Sequence, residues 1–228
     1  MTKKTDDLYQ SCKEEPSLIF TAIKQGDFEV VEKLINNNDI NTNITDTVGN
    51  DIVSRLLKAR QYDLVLKLMK KRNWDVNHQN EEGNTFGHIL ACDNSIQAIQ
   101  IVEELKKKKK YYPNMKNNKG ETALDLALNN NYLCTAFKIL EDKRFNSIDI
   151  FSFKNLFNAS IKNTLYGKYS KITNLEIIVE NLEKKELAPS MKNLVQNIND
   201  NMDAIKKDIM NNRSSILESI INNHLVTA

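Results

Sequence analysis

A glycine-centred turn followed by two helical patterns recurs along this chain, and the recurrence constrains the fold more than any other feature. Three copies read DTVGNDIVSRLLKARQYDLVLKLM, NEEGNTFGHILACDNSIQAIQIVEEL and NNKGETALDLALNNNYLCTAFKIL, aligned on Gly49, Gly83 and Gly120. The glycines are 34 and 37 residues apart. An earlier copy, from Ser17 to Ile35, lacks the leading turn. This period predicts an array of stacked supersecondary units, whose copies we number one to four in chain order.

The second half of each copy has the apolar spacing of an amphipathic helix. In copy one, FEVVEKLI places Phe28, Val31, Leu34 and Ile35 on one helical face. The helix before it is short, as in IVSRLLKA of copy two. Two such helices cannot bury their apolar faces alone, so neighbouring copies must stack to form a continuous core. Glycine between copies supplies a positive φ without steric cost, which predicts polar hairpin tips.

The segment DVNHQNEEGNTFGHILA, residues 75–91, carries part of a known signature. Thr85 and His88 occupy the Thr and His places of Thr-Pro-Leu-His-x-Ala, whereas Phe86 and Gly87 replace Pro and Leu. TALDLAL of copy four keeps the Thr, a Leu and an Ala. The chain therefore resembles the ankyrin-repeat family. The resemblance implies an all-α solenoid with short hairpin loops, Thr as a helix N-cap and a structural His that ties adjacent repeats together.

The predicted organisation has four parts. Residues 1–14 form a flexible N-terminus, 15–144 about four ankyrin repeats, 145–187 a helical cap or degenerate repeat, and 188–228 a C-terminal amphipathic helix. In the third part a helix from about residue 173 turns Leu175, Ile178, Val179 and Leu182 inward. The aromatic-rich stretch before it, from Phe145 to Ile161, is too apolar for a linker.

The last part contains a heptad seam after Pro189, which breaks the preceding helix. Its apolar residues are spaced by 3, 4, 3 and 4: Val195, Ile198, Met202, Ile205 and Ile209. One interpretation is a helix that packs back on the last repeat. The other is a coiled coil through residues 191–221, with a second copy or with a partner.

Composition and motifs exclude several functional classes. The net charge of +2 singles out neither nucleic acid nor a membrane as a partner. No apolar run approaches the ~20 residues of a membrane span, and the N-terminus lacks the apolar region of a secretory signal. Three widely spaced cysteines fit a reducing compartment, which predicts an intracellular protein of the cytoplasm or nucleus. Cys92 and Cys134 lie beside apolar helical positions, so we expect buried thiols.

No motif for catalysis is present. The sequence has no Gly-rich phosphate loop, Gly-x-Ser-x-Gly elbow, Cys-x-x-Cys pair or His-Glu-x-x-His. His78, His88 and His224 are far apart, and His78 with Cys92 would supply only two zinc ligands. We therefore expect no enzyme, cofactor, metal site or small-molecule substrate.

The one sharp charge feature is Lys106 to Lys110. It is either a solvated helix C-terminus, where cations favour the macrodipole, or a nuclear import signal or anionic docking patch. Tyr111 and Tyr112 would add contact area there. Acidic Glu103 and Glu104 are adjacent, so nucleic acid is not the expected ligand.

The resemblance implies a protein-binding adaptor or scaffold that holds a protein partner on the concave face of the array. The residues we expect on that face are Asp46, Arg55, Lys58, Glu81, Asp93, Lys119 and Asn129. Two alternatives remain from the sequence. One is a structural subunit that assembles through the C-terminal coiled coil, and the other is a subunit of a nuclear transcription or chromatin complex.

Overall fold

The computed structural model describes residues 3–37, 40–71, 74–130, 132–145, 170–185, 187, 189–211 and 215–227. These residues form thirteen α-helices, and within them β-structure is limited to two isolated bridges. The all-α class predicted from the sequence is therefore confirmed. The chain divides into two compact units, residues 1–123 and 124–228.

The first unit is built from paired helices, one pair in each of copies one to three. Helices α2, α4 and α6 pack against one another in succession, and so do α3, α5 and α7. Each pair also packs internally, so the apolar faces meet in one continuous core. The helices of this unit are α1 Lys3–Glu14, α2 Leu18–Gln25, α3 Phe28–Asn36, α4 Ile52–Lys58, α5 Tyr62–Met69, α6 Phe86–Leu90 and α7 Ile96–Lys106.

Residues 3–14 form helix α1, so the flexible segment expected over residues 1–14 is not what the structure has. The helix packs on α3 and α2 and buries Tyr9 and Cys12. Polar contacts add to this: Lys33 Nζ lies 2.9 Å from an Asp6 carboxylate oxygen and Asn37 Nδ2 donates to the Tyr9 hydroxyl at 2.9 Å. Tyr9 and Cys12, three residues apart on α1, thus cover the end of the array at copy one, which lacks a leading turn.

The turns of copies two, three and four have the same backbone. Gly49, Gly83 and Gly120 have φ values of 75°, 74° and 78°. In each turn the glycine N–H donates to the carbonyl oxygen three residues earlier, at 2.8 to 3.0 Å. The three glycines thus occupy equivalent bends, as the alignment of the copies predicts.

The longer spacing of 37 residues has a simple origin. Helix α7 has 11 residues, whereas its counterpart α5 has 8, a difference equal to the three additional residues. The N-cap Ser95 starts α7 by accepting the N–H of Ala98 at 3.1 Å.

The second unit contains six helices in its described residues, of which α8 begins one residue before it. Helix α10 packs against α11 and α12, and α13 packs against the same two helices. Helix α10 buries Leu175, Ile178, Val179 and Leu182, the four residues expected to face inward. The bounds are α8 Ala123–Asn129, α9 Leu133–Leu140, α10 Ser170–Glu183, α11 Pro189–Asp200, α12 Met202–Met210 and α13 Ser215–Thr227.

The heptad seam is used within the chain. Its residues Val195, Ile198, Ile205 and Ile209 are buried, on two helices that meet at Asn201. Since α10 and α13 cover α11 and α12, the single amphipathic helix expected over 188–228 is instead three helices folded together. The coiled-coil partner expected through residues 191–221 would have to displace these contacts.

The cap or degenerate repeat expected over 145–187 lies largely outside the described residues, apart from Phe145 and the segment that includes α10. The expectation of buried thiols at Cys92 and Cys134 is wrong, because Cys92 is exposed and Cys134 half-exposed. Cys92 follows the short helix α6, which ends at Leu90 and leaves the thiol in a loop.

Candidate protein-binding face

The hairpin–helix face comprises three turns and two short helices of the first unit. We define it as residues 46–50, 80–84 and 117–121 together with α4 and α6. The turns project polar side chains, and each short helix follows its turn directly. The geometry of this face depends on how the turns are held internally and to one another.

Within each turn, one Asx side chain replaces missing backbone partners. The first residue, Asp46, Asn80 or Asn117, accepts through its Oδ1 atom the N–H groups two and four residues later, at 2.8 to 3.0 Å. Because Asp and Asn accept such bonds at short range, they favour turns over helices. The frequent asparagines of the chain are in part explained by this use.

Between turns, asparagine side chains form a ladder. Asn80 Nδ2 donates to Asn50 Oδ1 at 3.0 Å, and Asn117 Nδ2 donates to Asn84 Oδ1 at 3.0 Å. A backbone N–H···O bond also joins each pair of neighbouring turns, at 3.3 and 3.0 Å. The turns are therefore fixed relative to one another by directional bonds, and the face is preorganised.

His88 links copy three to copy four. Its Nδ1 atom accepts the Thr85 N–H at 3.1 Å, so Nε2 carries the proton and donates to the Glu121 carbonyl oxygen at 2.9 Å. Thr85 caps α6 in return, with its Oγ1 accepting the His88 N–H at 3.4 Å. His88 is 1% exposed. Its role is structural, as the resemblance implies.

In copy two, Asp51 takes the N-cap position instead. Its Oδ1 accepts the Ser54 N–H at 2.7 Å, and its Oδ2 accepts the indole N–H of Trp74 at 2.8 Å. The Trp74 ring meets Phe86 edge-on, with centroids 5.2 Å apart. One buried carboxylate thus joins a helix start to the apolar core between copies two and three.

Of the seven residues expected to bind a partner, Asp46 and Arg55 form an ion pair with each other. The Asp46 side chain is only 5% exposed. Burial opposes its ionisation, but the N–H groups of Asn50 and Val48, the Asn50 side chain and the Arg55 charge together hold the pKa of Asp46 below its usual value. Asp46 therefore stabilises the first turn and offers little surface to a partner.

Asp93 also supports the fold. Its Oδ2 accepts the Tyr62 hydroxyl at 2.7 Å, and its Oδ1 accepts the Ser95 N–H at 2.9 Å. Burial opposes its ionisation, and these hydrogen bonds together with the charge of Arg60 outweigh burial and lower the pKa of Asp93. Asp93 thus connects copies two and three at the start of α7.

The remaining four expected residues are exposed. Lys58 donates from Nζ to Asn50 Oδ1 at 3.0 Å, which braces the first turn from α4. Glu81 and Lys119 lie at the second and third tips, and neither side chain has a hydrogen bond or ion pair among the described residues. Asn129 ends α8 in the second unit, so it is not part of the hairpin–helix face defined above.

Sequence reasoning missed one tip residue. Val48 is 45% exposed, one of four large apolar side chains with such exposure in the described part of the chain. It occupies the place of Glu82 and Lys119, immediately before each turn glycine. The signal was present in the alignment, because an apolar residue at a polar tip breaks the pattern.

Copy three departs from the family signature at Gly87, and the structure accounts for the change. A Cβ atom on Gly87 would lie 2.7 Å from the Tyr111 hydroxyl oxygen. Tyr111 is 5% exposed, so its ring fills the space that a side chain at position 87 would occupy. Tyr111 thus belongs to the core and not to a binding surface.

The described residues contain neither a cluster of metal ligands nor a membrane-spanning helix. Among them, no group of three or more His, Cys, Asp or Glu side chains is arranged to hold a metal ion. No helix in the described ranges is both long enough and apolar enough to cross a membrane.

Comparison with known proteins identifies similar folds among solved structures. No family model matches the sequence, and no curated protein matches it. Among solved structures, the chain is similar to EF0377, described as an ankyrin repeat protein, at 17% identity and a TM-score of 0.54 over 86% of this chain and 97% of that one. The ankyrin repeat domain of Bcl-3, described as a unique member of the IkappaB protein family, gives 16% identity and a TM-score of 0.49 over 75% and 86%.

The stacked helix pairs, the equivalent turns and the likeness to EF0377 together define the class: the chain has an ankyrin-repeat fold, with divergent repeats. Repeat arrays of this class present extended surfaces on which other proteins bind.

Proposed function

We propose that this chain is a non-enzymatic adaptor that binds a protein partner through the hairpin–helix face. The observation that supports this most directly is the contrast between frame and tips. The hydrogen bonds within each turn are the same in all three turns, while the exposed tip residues differ: Val48 is apolar, Glu81 and Glu82 are acidic and Lys119 is basic. A rigid frame that displays varied side chains suits specific recognition, because little conformational entropy is lost on binding.

The interface we expect has an apolar contact at the first tip and charged contacts at the second and third tips. Val48 is the apolar anchor, and the second and third tips carry opposite charges. Such charges set specificity and association rate more than affinity. A partner that presents an apolar patch, then a basic group and then an acidic group would match the three tips in order.

The test compares capture of partners by the wild-type chain and by a tip variant carrying Val48→Asp, Glu81→Lys and Lys119→Glu. None of these side chains supports the fold, so the variant should unfold at the same denaturant concentration. We expect quantitative mass spectrometry of captured proteins to show at least one partner reduced about tenfold or more.

The matched control carries Ile96→Asp, Glu29→Lys and Lys24→Glu, which likewise replace one apolar, one acidic and one basic residue at exposed positions outside the face. It should retain the partner. Equal capture by the tip variant and by wild type would contradict this choice of face. Reversing Arg55, by contrast, would place a carboxylate beside Asp46 and disturb the first turn.

A further inference from the structure

The lysine run from Lys106 to Lys110 divides into parts with different uses. Lys106, the last residue of α7, and Lys107, which follows it, form ion pairs with Glu103 and Glu104 of α7, at 3.2 and 2.6 Å. Lys108 donates from Nζ to the carbonyl oxygen of Met69, the last residue of α5. Three of the five lysines thus serve the array itself, so the run is not a uniform charged patch.

Lys108 repeats a contact found one copy earlier. Lys71 Nζ donates to the carbonyl oxygen of Ile35 near the end of α3, at 3.0 Å. In both cases a lysine contacts the C-terminus of the second helix of the previous copy, where the carbonyl groups lack helical partners and attract a cation. These two lysines are therefore structural.

Three other lysines remain for another use. Lys70, Lys109 and Lys110 are exposed, and their ammonium groups have no hydrogen bond or ion pair with any residue that the structure describes. They line the same groove, which has a volume of about 1070 Å³ and is lined by the loops that follow α3, α5 and α7. Three unpaired cations at one groove leave a local excess of positive charge.

The wall of this groove is held in place by Asn77. Its Nδ2 donates to the Lys110 carbonyl oxygen at 2.6 Å, and its Oδ1 accepts the Tyr112 N–H at 2.9 Å. The loop of copy three is thereby fixed to that of copy two. Tyr112 lines the groove and is 65% exposed, whereas its neighbour Tyr111 is buried.

We propose that the groove of Lys70, Lys109, Lys110 and Tyr112 binds an extended acidic segment of a protein partner. The lining includes five lysines and two aspartates, and one of these, Asp51, is already engaged by Trp74 and Ser54. The groove therefore complements carboxylates. An exposed tyrosine beside it supplies a large contact area at low entropic cost, which is typical of binding hot spots.

An acidic peptide fits these observations better than a nucleic acid. Stacking of successive bases requires several exposed aromatic rings, and the groove offers only Tyr112 among its described lining residues. Glu103 and Glu104 neutralise the lysines at the end of α7, which shortens the positive surface. The groove shares none of the three tip residues with the hairpin–helix face, so the two proposals can fail independently.

The test uses the full chain and a fluorescein-labelled decaglutamate peptide, with fluorescence anisotropy as the measurement. The variant Lys70→Glu, Lys109→Glu, Lys110→Glu should weaken binding about tenfold or more. A control with the same change in net charge carries Lys143→Glu, Lys192→Glu and Lys207→Glu, all exposed and outside the groove. Tyr112→Ala should weaken binding about threefold or more, with circular dichroism unchanged.

Each outcome decides the proposal. Loss of affinity in the groove variant with retention in the control supports it. Equal loss in both variants would mean attraction to overall charge and overturn it, as would unchanged affinity in the groove variant. Tighter binding of oligothymidylate of the same length, lost in the groove variant, would assign the groove to nucleic acid instead. No measurable binding of decaglutamate at low salt would also overturn the proposal.

Discussion

The turns of the repeat array and the C-terminal helices α10 to α13 solve the same problem in different ways. In the array, neighbouring copies are aligned by directional bonds between asparagines, backbone groups and His88. In the C-terminal helices the contacts that bury Val195, Ile198 and Ile205 are apolar. A hydrogen bond is lost when its partner moves by an ångström, whereas an apolar contact tolerates changes of shape at constant volume.

This difference has a consequence for what each region can do. The array keeps its tips in fixed positions, which suits recognition by spaced side chains. The C-terminal helices are held mainly by buried apolar side chains, with added polar contacts such as that between Lys206 and Glu176. Their sequence therefore determines which residues are buried more strongly than how the helices are aligned. We therefore expect the two regions to tolerate different kinds of substitution.

The largest effect is expected in the C-terminal helices, from Leu194→Ala in α11. Leu194 is fully buried, so the truncation removes apolar contacts and leaves a cavity that should cost about 3 to 4 kcal/mol. Urea denaturation followed by circular dichroism measures it. Leu194→Met keeps the volume and should cost less than about 1.5 kcal/mol.

Lys192→Ala on the exposed side of the same helix is the control, with an expected change within about 0.5 kcal/mol. If Leu194→Ala left the free energy of unfolding unchanged, α11 would not be packed as described. If Leu194→Met caused a loss of stability as large as that of Leu194→Ala, the shape of the side chain, and not only its burial, would matter in this region.

A graded effect is expected from alanine at the three turn glycines. All three have positive φ, which costs a side chain about 1 to 2 kcal/mol. A Cβ on Gly83 would also lie 2.7 Å from the Asn118 amide nitrogen, and one on Gly49 would lie 3.0 Å from the Glu81 amide nitrogen. On Gly120 it would meet nothing within 4 Å.

The expected order of destabilisation is therefore Gly83→Ala, then Gly49→Ala, then Gly120→Ala, at about 3, 2 and 1 kcal/mol. The same urea titration measures all three. Equal losses would indicate that only the φ angle matters and that the close approach of neighbouring turns contributes nothing.

These turns also show how far the sequence leads. Gly49, Gly83 and Gly120 mark equivalent bends because the backbone demand at each is local and only glycine meets it cheaply. The polar hairpin tips could be predicted for the same reason, whereas the structural role of His88 was implied by the family resemblance, because its bond to the Glu121 carbonyl oxygen joins two copies. The use of Tyr111 to fill the space at Gly87 could not, since it joins residues on different elements. The pairing of Asp46 with Arg55 likewise depends on geometry that spacing alone does not give.

The C-terminal region was harder to predict. Val195, Ile198, Ile205 and Ile209 satisfy a heptad, and a heptad seam indicates only that a stripe will be buried. It does not say whether the cover comes from a second chain or from the same one. Here the helix stops at Asn201, and Asp208 Oδ2 accepts the Ile216 N–H at 3.1 Å at the start of α13.

An effect that depends on pH is expected at Asp46. Asp46→Ala removes the acceptor for two N–H groups and the partner of Arg55, and should cost about 2 kcal/mol at neutral pH. Asp46→Asn should cost less than about 1 kcal/mol, because Asn80 and Asn117 hold the equivalent turns with the same two bonds.

The pH dependence distinguishes the charge from the hydrogen bonds. The folded pKa of Asp46 is lowered from 3.8, so its ionised form contributes stability in full above that pH, and the contribution is lost as the pH falls through the folded value. The wild-type chain should therefore lose its advantage over Asp46→Asn below pH 3.8. A constant difference from pH 7 to pH 3 would show that the Arg55 charge and ionisation contribute nothing there.

The smallest perturbation is chemical labelling of the three cysteines, which leaves stability unchanged before reaction and reports on helix α1. Cys92 is exposed and Cys134 half-exposed, whereas Cys12 is only 3% exposed, because α1 packs on α2 and α3. Burial also raises the pKa of the Cys12 thiol, which lowers the reactive thiolate fraction. Reaction with a thiol reagent, followed by peptide mass spectrometry, should give the order Cys92, Cys134, Cys12.

The rate at Cys12 decides between a packed and a flexible N-terminus. If α1 stays on α3, Cys12 reacts only when the helix detaches, and Lys33→Ala should accelerate it by removing the contact with Asp6. Lys24→Ala, at an exposed lysine of α2 that lacks this contact, should not change it. If Cys12 reacted as fast as Cys92, the N-terminus would be flexible, as the sequence predicts, and α1 would not cover copy one.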